Sequence, residues 1–256
     1  MSKLPVALQL YTVRDQLAKD YVGTVEQVAK IGYRYVELAG RPLPEADLKA
    51  LFKRLNLQVI SGHEGMDNLQ KDLDGLISFY RDLGAPYLTL PSLPGAVRES
   101  GDYARVFAEM NRIGEKCHAK GLTFCYHNHD FEFKTKVGDQ TLFDAIYSHT
   151  DPRYVQAQID TYWVYFAGLD PAAVIRQYAG RCPLIHLKDM PKDFTTFARP
   201  ARFAEVGEGQ LDMPAIFAAS EASGAKAYIV EQDLCDRPSL ESAKLSFDNL
   251  HKWGKV

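Results

Sequence analysis

Side chains that can bind metals or transfer protons are concentrated at residues 127–132. Two imidazoles, one amide and two carboxylates occur within these six positions. They follow residues 122–125, a short apolar run with β-branched and aromatic members, which predicts a buried strand. A strand that ends in this cluster would hold metal ligands and proton-transfer groups at the rim of a sheet. The alternative interpretation is an ordinary polar surface turn.

Asp160, His186 and Glu231 are the central candidates for a metal site. Each follows a short run that predicts a strand, residues 155–159, 183–185 and 227–230 respectively. Carboxylates and an imidazole from separate rigid strands suit Mn²⁺, Co²⁺, Mg²⁺ or Zn²⁺, and these residue types do not distinguish among the four ions. Each residue also has a structural interpretation: Asp160 could cap a helix, His186 could be a core histidine bonded to a carbonyl, and Glu231 could pair with a lysine. A shared role in metal binding explains the position of all three residues at strand ends better than three separate structural roles do.

A fourth metal ligand has two candidates, His127 and Glu132. His127 lies at the predicted strand end, where a ligand is expected. Glu132 offers the carboxylate that a hard ion prefers, provided that the chain curls back toward the site. We expect both residues to take part, one of them by supporting a ligand rather than by binding the ion itself.

Three other residues could contribute to catalysis or to substrate binding. Lys188 lies two positions after His186 and would point to the same side of an extended strand, where it could stabilise an oxyanion or transfer a proton. A salt bridge with Asp189 at the rim is the alternative. Trp163 could stack on a sugar ring or simply pack under a loop. Glu208, flanked by glycines in the longest predicted loop, could contact the substrate from a lid.

The elements that must position these residues alternate regularly between strand and helix. The periodicity predicts eight strands, each followed by a helical stretch, at residues 6–10, 33–38, 58–61, 87–90, 122–125, 155–159, 183–185 and 227–230. We therefore predict one (β/α)8 TIM barrel domain of the α/β class over residues 1–256, rather than an open doubly wound sheet. All strand C-termini of a parallel barrel open on one face, so Glu37 and His63, at the ends of the second and third strands, would join the site.

Composition argues against several classes of protein. The 256 residues carry a net charge of −3, which argues against a broad nucleic-acid surface. The four cysteines are scattered without a CxxC pair, as is typical of a reducing compartment. Neither a signal-like segment nor an apolar run of about 18 residues occurs, so we expect a cytoplasmic protein without membrane contact. A homo-oligomer is compatible with the sequence, which does not define the oligomeric state.

The residues at the strand ends resemble the sugar phosphate isomerase/epimerase family, the xylose isomerase-like barrels. The resemblance extends over essentially the whole chain and depends on the order and spacing of short motifs: Glu37, His63, His127-Asn128-His129 with Glu132, Asp160-Thr161-Tyr162-Trp163, His186-Leu187-Lys188-Asp189, Val206-Gly207-Glu208-Gly209 and Glu231. In the epimerase branch, Glu, Asp, His and Glu at strands five to eight hold the metal. The last three of these family ligands correspond to Asp160, His186 and Glu231 in this sequence. The first, a Glu in the epimerases, corresponds to a position near His127, where this sequence has a histidine instead. A His-x-His at this strand resembles the inosose dehydratases and keto-glycoside lyases, in which His129 would be the base.

The resemblance implies a metal-dependent isomerase or epimerase of a keto-sugar or cyclitol. The ion would bind the ketone oxygen and stabilise an enediolate while His129 or Glu231 removes the α-proton. A lyase or dehydratase that uses the same enediolate is the alternative, with His63 or Lys188 protonating the leaving group. No clear phosphate-binding loop is present in the sequence, which favours a non-phosphorylated substrate.

Two functions of other classes stay open at this point. A DNA-repair endonuclease of the endonuclease IV group would need several metal ions and a basic surface, and the net charge opposes it. A barrel that binds a sugar or a protein partner without catalysis would have no need for a metal.

Overall fold

Eight parallel strands close into a barrel in the computed structural model, which describes residues 3–256. The barrel strands are β1 (Val6–Gln9), β2 (Tyr35–Ala39), β3 (Gln58–His63), β4 (Tyr87–Leu90), β5 (Thr123–His127), β6 (Val155–Asp160), β7 (Leu184–Leu187) and β8 (Ala227–Val230). Each strand pairs with the next along the chain, and β8 pairs with β1 to close the barrel. The predicted (β/α)8 barrel is therefore confirmed.

Helices connect the strands and cover the outside of the barrel. They are a 3-10 turn at Leu10–Val13 and α-helices at Arg14–Leu17, Tyr21–Ile31, Glu45–Leu55, Met66–Lys71, Leu73–Asp82, Gly95–Ser100, Tyr103–Ala119, Phe131–Lys134, Leu142–Ser148, Thr161–Phe166, Pro171–Gln177, Met213–Ala222 and Ser239–Lys252. A small antiparallel hairpin, Lys136–Val137 with Gln140–Thr141, follows β5. No helix within residues 3–256 is long and apolar enough to cross a membrane.

Apolar residues recur near helical spacing over residues 16–31 and 69–80, which predicts one helix in each stretch, but each is divided in two in the structure. Asp20 interrupts the predicted helix at residues 16–31, and Asp72 interrupts the one near residues 69–80. Each carboxylate accepts a hydrogen bond from the backbone amide three residues later, at 2.9 Å and 3.2 Å respectively, and so begins a new helix. The apolar periodicity continues across both caps, which is why the sequence pattern alone predicted single helices.

Strand alternation places a polar layer above the apolar interior of the barrel. Cys125 and Leu184 belong to a small apolar cluster formed by barrel strands. His127 and His186 lie two residues further along the same strands, so their side chains point to the same side, one layer closer to the open face. The fold therefore gathers polar side chains at the C-terminal ends of the strands.

Candidate metal centre

Four buried side chains converge at the C-terminal end of the barrel. His127, Asp160, His186 and Glu231 each offer one donor atom, and all four atoms lie within 4.8 Å of one another. They come from the ends of β5, β6 and β7 and from the residue after β8. A divalent ion lies about 2.0–2.2 Å from nitrogen and oxygen ligands, so donors this close can share one ion. The geometry and chemistry of this donor set fit a single metal site.

Asp160 has one carboxylate oxygen free for an ion. Its Oδ1 accepts a hydrogen bond from the Trp163 amide at 3.0 Å and so caps helix Thr161–Phe166. Its Oδ2 is buried and receives no well-directed hydrogen bond within the described chain, although Lys188 Nζ lies 3.1 Å away. Burial raises the pKa of Asp160 to about 6, against the opposing effect of the Lys188 charge. Asp160 is thus both the helix cap that the structural interpretation suggested and a candidate ligand.

His186 lies between two carboxylates. Its Nδ1 is 2.9 Å from Glu231 Oε2, and its Nε2 is 2.7 Å from Glu37 Oε2. Burial alone would lower the pKa of His186, but the two carboxylates raise it to about 9. Burial would likewise raise the pKa of Glu231, yet Lys188 and His186 hold it well below its usual value. The pair therefore places a carboxylate oxygen and an imidazole nitrogen side by side, as a metal site requires.

Lys188 is buried among three carboxylates. Its Nζ lies 2.8 Å from Glu231 Oε2, 3.1 Å from Asp160 Oδ2 and 2.9 Å from Asp233 Oδ1. Burial would lower the pKa of Lys188, but the neighbouring carboxylates raise it well above its ordinary value, so the side chain is an ammonium ion. Lys188 therefore brings a fixed positive charge and hydrogen-bond donors to the edge of the metal cluster.

His127 joins the cluster, whereas Glu132 lies outside it. Helix Phe131–Lys134 turns Glu132 back beneath the loop, where its oxygens accept hydrogen bonds from the Tyr126 hydroxyl at 2.5 Å and the His129 amide at 2.8 Å. Burial raises the pKa of Glu132 to about 8, even though these hydrogen bonds act in the opposite direction. Burial also lowers the pKa of His127 well below its ordinary value, which keeps this imidazole neutral.

His129 and Trp163 lie next to each other beside the cluster. Their ring centroids are 5.4 Å apart, and the buried His129 Nδ1 has no hydrogen-bond partner among residues 3–256. Burial and the Lys188 charge lower the pKa of His129 to about 3, so its ring is neutral at physiological pH. The Trp163 side chain is buried, and its ring centroid lies 5.7 Å from the Arg199 guanidinium and 5.9 Å from Lys188 Nζ.

Glu37 and His63 lie on the other side of the cluster. Glu37 is completely buried, and its oxygens accept hydrogen bonds from Gln158 and Gln9, each at 2.7 Å. His63 is partly exposed, and its ring stacks on that of His186 with centroids 5.4 Å apart. Burial would raise the pKa of Glu37, but the two adjacent histidines and the hydrogen bonds lower it to about 2. A charged carboxylate therefore lies behind the metal cluster.

Glu208 lies apart from the cluster. It is exposed, and its Oε1 accepts a hydrogen bond from Asn249 in the last helix at 2.8 Å. The long loop that carries Glu208 is organised by Asp189 instead, whose carboxylate accepts hydrogen bonds from four backbone amides at 2.8–3.1 Å, those of Met190, Gly207, Gly209 and Leu211.

Sequence analysis missed Gln9, Gln158 and Asp233. Gln158 precedes Asp160 by two positions, and Asp233 follows Glu231 by two. Residues two apart on a strand face the same side, so this spacing was the signal that could have identified Gln158. Asp233 lies beyond the end of β8, where strand alternation gives no such signal. Gln9 ends β1, in the position that the other site residues occupy on their own strands.

A comparison with protein families gives this site its context. The sequence profile described as the xylose isomerase-like TIM barrel matches residues 25–250. The chain belongs to that family. The chain is also similar to proteins named inosose dehydratase. The one from Clostridium beijerinckii is 24% identical over 247 residues, which cover 82% of this chain and 81% of that protein. Other inosose dehydratases match at 26–28% identity over 45–49% of their length, so the chain spans about half of those relatives.

Solved structures share the fold of this family member. A sugar phosphate isomerase/epimerase from Parabacteroides distasonis superposes on this chain with a TM-score of 0.80 at 24% identity. The superposition covers 99% of each chain. The IOLI protein, whose crystal structure holds a zinc atom, superposes with a TM-score of 0.75 at 14% identity and covers 98% of this chain and 99% of that one. At these identities the likeness establishes the barrel fold, which the strand topology also shows.

Replacing His127 should weaken metal binding, whereas the matched change at Glu132 should not. We expect His127→Leu to lower the affinity for Mn²⁺ or Zn²⁺ by at least about 10-fold, because it removes a donor from the cluster. Glu132→Gln keeps the size of a side chain that lies outside the cluster, and its amide can accept from the His129 amide and donate to the Tyr126 hydroxyl oxygen. Isothermal titration calorimetry on both variants tests this prediction. Loss of affinity in Glu132→Gln with normal affinity in His127→Leu would reverse the two assignments.

Proposed function

We propose that the protein is a divalent-metal-dependent enzyme that removes a proton next to the carbonyl group of a keto-sugar or cyclitol. The observation that carries the proposal is the convergence of His127, Asp160, His186 and Glu231 on one small volume, directly beside the ammonium group of Lys188. Such a donor set suits Mn²⁺, Co²⁺, Mg²⁺ or Zn²⁺. When bound, the ion would polarise the carbonyl group and stabilise negative charge on its oxygen.

His129 is the base that we assign to the α-proton. Its ring is neutral, its Nδ1 is buried without a partner in the described chain, and it lies beside the cluster rather than within it. A neutral imidazole has one ring nitrogen without a hydrogen, and that nitrogen can accept a proton from a substrate placed against it. The carboxylates are less available, because Glu231 and Asp160 both face Lys188.

Lys188 stabilises the negative charge that develops as the proton leaves. Its ammonium is fixed by Asp160, Glu231 and Asp233, so no reorganisation is needed when a substrate oxygen becomes negative nearby. The three carboxylates also hold its proton tightly, so we assign protonation of a leaving group to His63, whose side chain is partly exposed.

Elimination of water is the net reaction that we favour. His129 would take the α-proton, a carbon–carbon double bond would form, and the β-hydroxyl would leave as water after it receives a proton. The relatives named inosose dehydratase support this choice, and an inosose is an uncharged keto-cyclitol. Neither the removal of the α-proton nor the loss of the β-hydroxyl as water needs a phosphate group on the substrate.

Isomerisation or epimerisation is the second candidate, and one observation favours it. His129 follows β5 and Glu231 follows β8, so two groups that can carry a proton approach the cluster from different strands. Moving a proton between carbons, or between the faces of one carbon, needs such a pair. The cytoplasmic location and the oligomeric state stay predictions.

Solvent deuterium exchange tests the proposed function. The Mn²⁺-loaded protein is incubated in D₂O with keto-sugars, inososes and 3-keto-glycosides, and the products are followed by NMR and mass spectrometry. We expect deuterium at the α-carbon of one compound, and loss of water from it identifies the dehydratase. The same preparation treated with a chelator is the control. Tight metal binding without exchange into any of these compounds would contradict the proposal.

A further inference from the structure

We infer that Gln158 is a positioning residue that determines which ring nitrogen of His127 faces the metal ion. Gln158 lies on β6, two residues before Asp160, and is completely buried. Its side-chain amide contacts three residues of the site: His127, His63 and Glu37. This inference depends on the metal site of the proposed function and adds a residue that does not itself bind the ion.

The orientation of the Gln158 amide follows from its contact with Glu37. Gln158 Nε2 lies 2.7 Å from Glu37 Oε1. The opposite orientation would place an amide oxygen at that distance from a carboxylate oxygen, and two acceptors without a hydrogen between them repel. The NH₂ group therefore donates to Glu37, and the amide oxygen points toward the histidines.

The amide oxygen then determines the tautomer of His127. Gln158 Oε1 lies 3.0 Å from His127 Nδ1 and 2.7 Å from His63 Nε2. An amide oxygen only accepts hydrogen bonds, so both nitrogens carry a hydrogen. A neutral imidazole has one N–H, which leaves a lone pair on His127 Nε2, the atom that lies 3.6 Å from Asp160 Oδ2 inside the cluster. Gln158 thus directs a free lone pair at the ion site.

Glu37 does the same for His186 and links the two histidines. Glu37 Oε2 lies 2.7 Å from His186 Nε2 and Glu231 Oε2 lies 2.9 Å from His186 Nδ1, so both nitrogens donate to carboxylates. The contact with Glu37 fixes the ring so that Nδ1, on the side of Glu231, is the nitrogen that would give up its hydrogen to an ion. Residues that accept a hydrogen bond from the far nitrogen of a ligand histidine orient its ring and make it a better ligand. Gln158 is therefore the centre of a buried chain of hydrogen bonds that orients both imidazoles.

The test compares Gln158→Met with a matched control, Gln156→Met. Methionine keeps the length of glutamine but removes the amide. Gln156 lies on the same strand, near its start, and its amide contacts the Pro152 carbonyl rather than the site. Titration with Co²⁺ alone, followed by visible absorption, should show about 10–100-fold weaker binding and an altered ligand-field spectrum in Gln158→Met. The control should bind Co²⁺ with the native affinity and spectrum.

A second measurement needs no variant. ¹⁵N NMR of the unsubstituted protein without metal should show the His127 ring protonated at Nδ1, and this reading decides the question even if Gln158→Met does not fold. A hydrogen on Nε2 instead, or native Co²⁺ affinity in Gln158→Met, would overturn the inference. A native protein that binds no Co²⁺ would overturn both the inference and the proposed function. Tight Co²⁺ binding with the expected tautomer but no α-proton exchange would support the inference and overturn only the proposed reaction.

Discussion

Asp160→Asn should leave the protein folded and remove most of its affinity for divalent ions. Asparagine caps helices as well as aspartate does, so the hydrogen bond from the Trp163 amide to Oδ1 can persist. The free Oδ2, however, becomes an NH₂ group that cannot bind a cation. We expect a loss in affinity larger than the roughly 10–100-fold caused by removing a residue that only supports a ligand. Calorimetric titration with Mn²⁺ measures this loss, and α-proton exchange should fall to background with it.

Asp20→Asn is the matched control for that experiment. Asp20 caps helix Tyr21–Ile31 through the Gly23 amide, on the outside of the barrel, so the two variants share the chemical change and the structural role. Both should keep the native melting temperature to within a few degrees, and only Asp160→Asn should lose the ion. Native affinity in Asp160→Asn would remove Asp160 from the ligand set.

His129→Gln should slow the reaction without disturbing the ion. A positioned general base typically contributes 10²–10⁴-fold, so we expect deuterium incorporation to fall by about that factor. The side chain lies beside the four-residue cluster rather than in it, so Mn²⁺ affinity should stay native. The two measurements together separate the loss of a base from the loss of a metal ligand.

His251→Gln is a suitable control for the His129→Gln variant. His251 is exposed near the end of helix Ser239–Lys252, and its replacement should change neither exchange nor ion binding. If His129→Gln exchanges deuterium at the native rate, the proton must be taken by another group, and Glu231 is then the remaining candidate that sequence analysis named.

The parts of the site that lie on strands were the most predictable. Asp160 is the last residue of β6 and His186 the last but one of β7, and the parallel barrel brings all strand ends to one face, so their convergence followed from the fold class. The same reasoning extends to Glu231, directly after β8. Gln158 was equally predictable from its position two residues before Asp160 on β6, but a search for metal ligands passes over amides.

The parts of the site that lie in turns were not predictable. His127 and Glu132 are separated by five positions, and only His127 lies on a strand, where the alternation of side chains predicts its direction. A single turn of helix at Phe131–Lys134 determines that Glu132 folds back onto Tyr126 and away from the ion site. The same limit applies to Glu208, whose direction depends on how Asp189 gathers the amides of the long loop.

The amino-acid sequence by itself determined the barrel, the open face and the residue types that reach it, because strand and helix periodicities are local properties that burial enforces. Only the tertiary structure decided which donors lie close enough to share an ion, which partner each imidazole nitrogen faces and where the Lys188 ammonium lies. Those outcomes depend on distances of 2.7–3.6 Å between residues that are up to 149 positions apart in the chain, and no local pattern encodes them.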